Sequence, residues 1–159
     1  QTVLRVSRAG REQRAGGKLV QSDQGLAAIF ERQRQHQFGL AVMYSLGQSV
    51  AQDHGAAAAL FHLAAIRGHP GAQLSVGHSY QHGLGVAQDY GAAHIWYLAA
   101  AEQGEAKAQN NLGTMYEMGL GIPADIDVAI YWFEEATCSG NRNARVNLIR
   151  LHRAQQNAD

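Results

Sequence analysis

The sequence predicts an all-α fold, an α/α superhelical solenoid of helix-turn-helix repeats that extends over about residues 24 to 155. Residues of one kind recur 36 positions apart along most of the chain, as in Tyr44, Tyr80 and Tyr116. Within each copy, apolar residues recur at intervals of three and four, which is the spacing of one face of an α-helix. The chain has only two prolines and no sustained alternation of β-branched residues, which disfavours an all-β fold.

A period of this length is typical of stacked units, none of which buries its apolar face alone. The pattern predicts a repeat domain at residues 23–159, with repeats at about 36–70, 71–106 and 107–142 and a C-terminal capping helix at 143–155. Residues 1–22 lack the pattern and contain Gly10, Gly16 and Gly17, so we expect an irregular, basic lead-in there.

The third copy shows how each repeat is expected to fold. Residues 107–118 form one amphipathic helix, and Gly119 stands where a left-handed C-terminal cap is favoured. Asp125 is placed to cap the second helix, which ends near Gly140. The apolar stripe of that helix consists of Ala129, Trp132, Phe133 and Ala136.

The other copies repeat these signals. Asp53 and Asp89 occupy the same capping position as Asp125, one per repeat. Gly77 and Gly113 lie inside helices, where glycine costs about 1 kcal/mol relative to alanine. We expect a close approach between helices to compensate for that cost.

The residues Leu112-Gly113, Tyr116, the turn Gly119-Leu-Gly121, Asp125 and the pair Trp132-Phe133 follow the pattern of Sel1-like repeats (SLRs), relatives of the tetratricopeptide repeats. Residues 72–104 and 108–140 match this pattern almost throughout, and 36–68 resemble it more loosely. The resemblance implies a superhelix that binds other proteins. Its members include adaptors of membrane-protein degradation, bacterial signalling and secretion proteins, and immunity proteins that neutralise type VI secretion phospholipases.

The surface expected to bind a partner follows from helical geometry. On the first helix of each repeat, a second stripe lies opposite the stripe that contains Leu112, and it changes from apolar to polar to basic along the array. In the related superhelices that opposite stripe lines the concave groove. The predicted partner-binding residues are Phe38, Val42, Leu74, His78, Gln81, Asn110, Thr114, Glu117, Arg150 and Arg153. The alternative for the apolar members is that an adjacent helix or the N-terminal segment covers them.

Charge and hydropathy narrow the choice of partner. Residues 35–141 hold two Lys/Arg against nine Asp/Glu, whereas 1–34 hold seven against three and 142–159 hold four against one. An acidic middle disfavours nucleic acid as a partner. The chain also lacks a run of 18 apolar residues, so no membrane span is expected.

Catalytic and metal sites are weakly indicated. His78 and His82 are spaced i, i+4, which places two imidazoles on one helix face, but a third ligand would have to come from elsewhere. The Asp series is explained by helix capping, and the single Cys138 is interpreted as a small packing residue. We therefore expect no enzyme activity, no metal and no cofactor.

These observations favour a non-enzymatic protein-protein interaction module, a bacterial adaptor or scaffold that holds a partner protein in its concave groove. The alternatives are an immunity protein that inhibits a secreted phospholipase toxin and, from another class, a metal-dependent hydrolase that uses the histidines. We expect a periplasmic or otherwise exported protein, with a cytoplasmic one as the alternative. Gln1 is compatible with a mature terminus and equally with an arbitrary boundary.

Overall fold

The computed structural model describes the backbone of residues 3–157 and the side chains of residues 24–157. Seven helices and no strand occur in this part of the chain, which confirms the predicted all-α repeat fold. The helices are α1 (Val3–Leu46), α2 (His54–Ile66), α3 (Pro70–His82), α4 (Tyr90–Ala101), α5 (Ala106–Met118), α6 (Ile126–Cys138) and α7 (Arg142–Gln156).

The N-terminal part differs from the prediction. Helix α1 begins at Val3, so the expected irregular lead-in over residues 1–22 is wrong for the backbone from that residue onward. Residues 1–22 contain three glycines, each of which costs a helix about 1 kcal/mol, but good helix formers such as Leu, Arg, Gln and Ala outnumber them and outweigh this cost. The chain divides into two compact units, Gln1–His36 and Gln37–Asp159, whereas we placed the boundary at residue 23.

The second unit has an alanine-rich core in three clusters, each of which joins helices that follow one another in the chain. Phe61, Tyr97 and Phe133 occupy equivalent positions on α2, α4 and α6, and all three are buried. Buried alanines such as Ala64, Ala100 and Ala136 lie beside them, so neighbouring helices approach closely.

The predicted aspartate and glycine caps are present. The side chains of Asp53, Asp89 and Asp125 accept hydrogen bonds from the backbone N–H groups three residues ahead, at 2.9, 2.9 and 3.1 Å. Gly83 and Gly119 adopt the left-handed conformation at the ends of α3 and α5. These caps confirm that the Asp series is structural.

Close helix contact explains the glycines inside helices. A Cβ atom added at Gly77 would lie 2.6 Å from the Tyr97 ring, and one added at Gly113 would lie 2.6 Å from the Phe133 ring. Carbon atoms pack at about 3.5–4.0 Å, so alanine does not fit at either position without movement. The expected compensation for helical glycine is confirmed.

Candidate protein-binding groove

A groove of about 730 Å³ lies along the first helices of the repeats, within the unit Gln37–Asp159. One side of this groove is formed by the end of α1, by α2 and by α3 with the turn that follows it. The other side is formed by the start of α5, the residues that join α6 to α7, and the first turn of α7. The groove therefore crosses several repeats, as a binding surface built from stacked units does.

The two sides differ in chemistry. Phe61, Leu74 and Leu84 give the α2–α3 side apolar surface. The α5–α7 side carries Asn110, Asn111 and Asn143, together with the charged residues Glu105, Lys107 and Arg142. The groove therefore offers apolar side chains together with amide and charged groups.

Three of the predicted partner-binding residues line the groove: Leu74, His78 and Asn110. Leu74 is half-buried and also packs against the core cluster of α4 and α5. His78 is exposed, and its ring centroid lies 4.3 Å from that of His82. The Asn110 side-chain oxygen accepts a hydrogen bond at 3.2 Å from the amide of Asn147 on α7.

Phe38 and Val42 lie elsewhere, because both pack against the core cluster that joins α1, α2 and α3. The Phe38 ring stacks on the His69 ring with centroids 4.3 Å apart and contacts Phe61 at 5.8 Å. For Phe38 and Val42, the structure therefore agrees with the alternative stated above, in which an adjacent helix covers the apolar residues. Phe38 therefore takes part in the packing between helices, and its replacement is expected to cost stability.

Gln81, Thr114 and Glu117 make contacts inside the protein. Gln81 accepts a hydrogen bond of 2.6 Å from the Tyr97 hydroxyl, and the Thr114 hydroxyl donates to the Asn110 backbone carbonyl. Glu117 accepts two hydrogen bonds, of 2.6 and 2.7 Å, from the guanidinium of Arg150. Gln81 and Glu117 thus join different helices, Thr114 bonds within α5, and none of the three lines the groove.

Arg150 and Arg153 border a second recess, of about 450 Å³, on the exposed side of α7. Val146 and Ile149 supply its apolar surface. The hydrogen bonds that Arg150 donates to Glu117 raise the pKa of Arg150 further above its ordinary value, so this arginine stays charged. Of the two, Arg153 is the one with no carboxylate partner within residues 24–157.

Sequence reasoning missed Arg142, Asn143 and His54, which also line the groove. The predicted stripe came from helical periodicity, and these residues lie in the first turns of α7 and α2, where periodicity carries little information. Their signal was present only in the capping positions, because Asp53 and Asn141 mark the helix starts beside them.

The histidines do not converge. Among the residues from 24 to 157, no group of three or more His, Cys, Asp or Glu side chains is arranged to hold a metal ion. Partial burial, and then repulsion from His82, lower the pKa of His78. Cys138 is exposed at the end of α6, so its interpretation as a packing residue is wrong.

A loss of stability at mildly acidic pH is expected from His94. Burial lowers its pKa below the ordinary 6.5, and its ring nitrogen lies 3.2 Å from the Tyr116 hydroxyl. The unfolded chain therefore binds a proton more readily, and the stability present above pH 6.5 is lost as the pH falls below it. Urea unfolding at pH 7.5 and 5.5 measures this loss. Replacing His94 with Gln should reduce the difference, and an unchanged difference would contradict the assignment.

The Sel1 repeat pattern matches residues 37–69, 70–105 and 106–141, which correspond to the three helix pairs of the second unit. The chain belongs to the Sel1 repeat family. Sel1 repeats are protein-interaction modules, and the family is generally of a non-catalytic, scaffolding type. This confirms the resemblance in the sequence and the coarse functional class.

Several solved structures are similar to this chain, and two of them show the extent of the similarity. One is a protective antigen present in uropathogenic Escherichia coli strains, which displays an SLR fold and is 37% identical to this chain with a TM-score of 0.71. The match covers 72% of this chain and 25% of the antigen chain. A Sel1 repeat protein from Oxalobacter formigenes is 31% identical with a TM-score of 0.70, matched over 72% of this chain and 47% of its own. This chain thus spans a quarter of the length of the Escherichia coli protein and under half of the length of the Oxalobacter formigenes protein.

No curated protein matches the chain. None of the helices in the part that the structure describes has the length and apolar character needed to cross a membrane.

Proposed function

We propose that this Sel1 repeat chain is a non-enzymatic adaptor or scaffold that holds an extended segment of a partner protein in the groove between α3 and α7. The observation that carries the proposal is the groove itself, which is lined by side chains from successive repeats and includes Leu74, His78 and Asn110. Stacked repeats use such continuous surfaces to bind other proteins.

The dimensions suit an extended peptide. Packed neighbouring helices lie about 8–10 Å apart, so a groove that passes from α3 across α5 to α7 spans on the order of 20 Å. A strand rises about 3.3 Å per residue, so roughly six residues cover that distance. Leu74 and Leu84 offer an apolar contact for one side chain, and Asn110 has an amide N–H₂ to donate to a backbone carbonyl.

Binding through the groove is tested with random 12-residue peptides displayed on phage and selected on the immobilised chain. The double variant Leu74→Ser with Asn110→Ala should weaken the selected peptides by about 1–3 kcal/mol, because interface anchors have this size of effect. The matched control is Ile95→Ser with Tyr131→Ala, since both side chains are exposed, at 66% and 52%, and neither lines the groove.

The proposal fails if the selected peptides lose equal affinity to both double variants, or if selection yields no peptide that the groove variant affects. Thermal unfolding of each variant accompanies the binding measurements. It separates a lost contact from a lost fold, because Leu74 also packs against the core cluster of α4 and α5.

We also propose that the protein acts outside the cytoplasm. The support is the similar Escherichia coli protein, which is a protective antigen and shares 37% identity. Fractionation of the source cells, with markers for each compartment, should recover the chain in the periplasmic or extracellular fraction. Recovery with a cytoplasmic marker enzyme would overturn this proposal.

A further inference from the structure

The α5–α7 side of the groove carries two cations that form no ion pair with the described side chains, those of residues 24–157. Lys107 lies in the first turn of α5, and Arg142 is the first residue of α7. Both side chains are exposed and line the groove. Neither forms an ion pair with any side chain of residues 24–157.

The positive charge of these two residues is opposite in sign to the net charge of the unit that carries them. The unit Gln37–Asp159 holds six Lys/Arg against ten Asp/Glu. These two residues are also not part of the repeat pattern. The positions 36 residues before and after Lys107 hold Gly71 and Asn143, and the position 36 residues before Arg142 holds Ala106. The requirements of the fold therefore do not explain them.

Glu105 is the one carboxylate among the described residues that line the groove. Its oxygen accepts a hydrogen bond of 3.3 Å from the backbone N–H of Lys107 and caps α5. The partial positive charge at this helix terminus offsets its negative charge. The cations consequently dominate this side of the groove.

We propose that the groove selects an acidic partner segment, whose carboxylates lie against Lys107 and Arg142 while an apolar side chain of the same segment lies on Leu74 and Leu84. This rests on the proposed function, because it names the chemistry of the segment that the groove holds. Charge complementarity decides the occupant: a basic segment would face two unpaired cations, and a neutral one would leave them without a partner.

The experiment compares two double variants that each remove two positive charges. Lys107→Gln with Arg142→Gln changes the groove, whereas Arg145→Gln with Arg153→Gln changes exposed arginines of α7 that lie outside it. The probes are the peptides selected on the unaltered chain, each with a matched peptide in which Asp and Glu are replaced by Asn and Gln.

The expected peptides are enriched in Asp and Glu and bind the groove variant at least roughly tenfold more weakly, as charge-assisted hydrogen bonds are lost. The control variant should change their affinity less than about twofold, since exposed charges act weakly at a distance. The matched neutral peptides should bind weakly and should not distinguish the groove variant from the unaltered chain.

The failures of the two proposals are distinguishable. Suppose that the selected peptides bind the variant Leu74→Ser with Asn110→Ala more weakly but are not acidic, or bind the variant Lys107→Gln with Arg142→Gln as well as the unaltered chain. This inference is then overturned and the proposed function stands. Equal effects of the groove and control charge variants also overturn it, because the contribution would then be long-range attraction. Peptides that no groove variant affects overturn both proposals.

Discussion

Replacing Phe133 with alanine is expected to lower the free energy of unfolding by about 3–5 kcal/mol, the cost of deleting a buried aromatic ring. Phe133 has 0% of its surface exposed and lies in the cluster that joins α6 to α7. Urea unfolding measures the effect. Replacing Tyr131 on the same helix is the control, since that ring is 52% exposed and its loss should cost far less.

A second substitution tests the reason for the large effect. A Cβ atom at Gly113 would lie 2.6 Å from the Phe133 ring, so Gly113→Ala alone should destabilise the protein by about 1–3 kcal/mol through overpacking. In the Phe133→Ala background the ring is gone, and the same change should be neutral or stabilising because alanine favours the helix. Strictly additive effects would show that the two positions do not share this contact.

Ending the chain after Gly140 removes α7 and is expected to cost about 3–5 kcal/mol, with some loss of solubility. Leu151 is 6% exposed and Ala144 is fully buried against α6, while Leu148 packs on the same cluster. Each buried leucine contributes roughly 1.5–3 kcal/mol. Without them the apolar surface around Phe133 and Ala136 becomes exposed.

Ending the chain after Arg153 instead keeps Leu151 and the packed turns of α7, and this shorter deletion should unfold near the temperature of the full chain. The measurements are thermal unfolding and light scattering of both proteins. If the chain that ends at Gly140 remained monomeric and melted at the same temperature, α7 would not act as the cap of the array.

The caps and repeat boundaries were predictable because their signals are local. Asp53, Asp89 and Asp125 accept hydrogen bonds from N–H groups three residues away, so the chemistry lies within one turn of helix. Ser49 shows the limit of such signals. It occupies the place of the second glycine of the turn, yet it adopts a φ of 64°, because the rest of the repeat imposes the turn.

The candidate site was predictable only in part. Helical periodicity identified the stripe that contains Leu74, His78 and Asn110, and all three line the groove. Periodicity says which residues share a face of one helix. It does not say how far a neighbouring helix covers that face, and for this reason Phe38 was assigned to a partner although its ring lies on His69.

The sequence by itself determined the repeat family, the helix pairs and their caps, since these depend on the spacing of residue types along one segment. Only the tertiary structure decided which polar side chains remain for a partner. Glu117 is taken by Arg150, 33 residues away, whereas Lys107 and Arg142 have no carboxylate partner in the described part of the chain. The physical reason is that pairing across repeats depends on how closely the helices pack and where each side chain ends, and the spacing of residues along the chain does not carry that information.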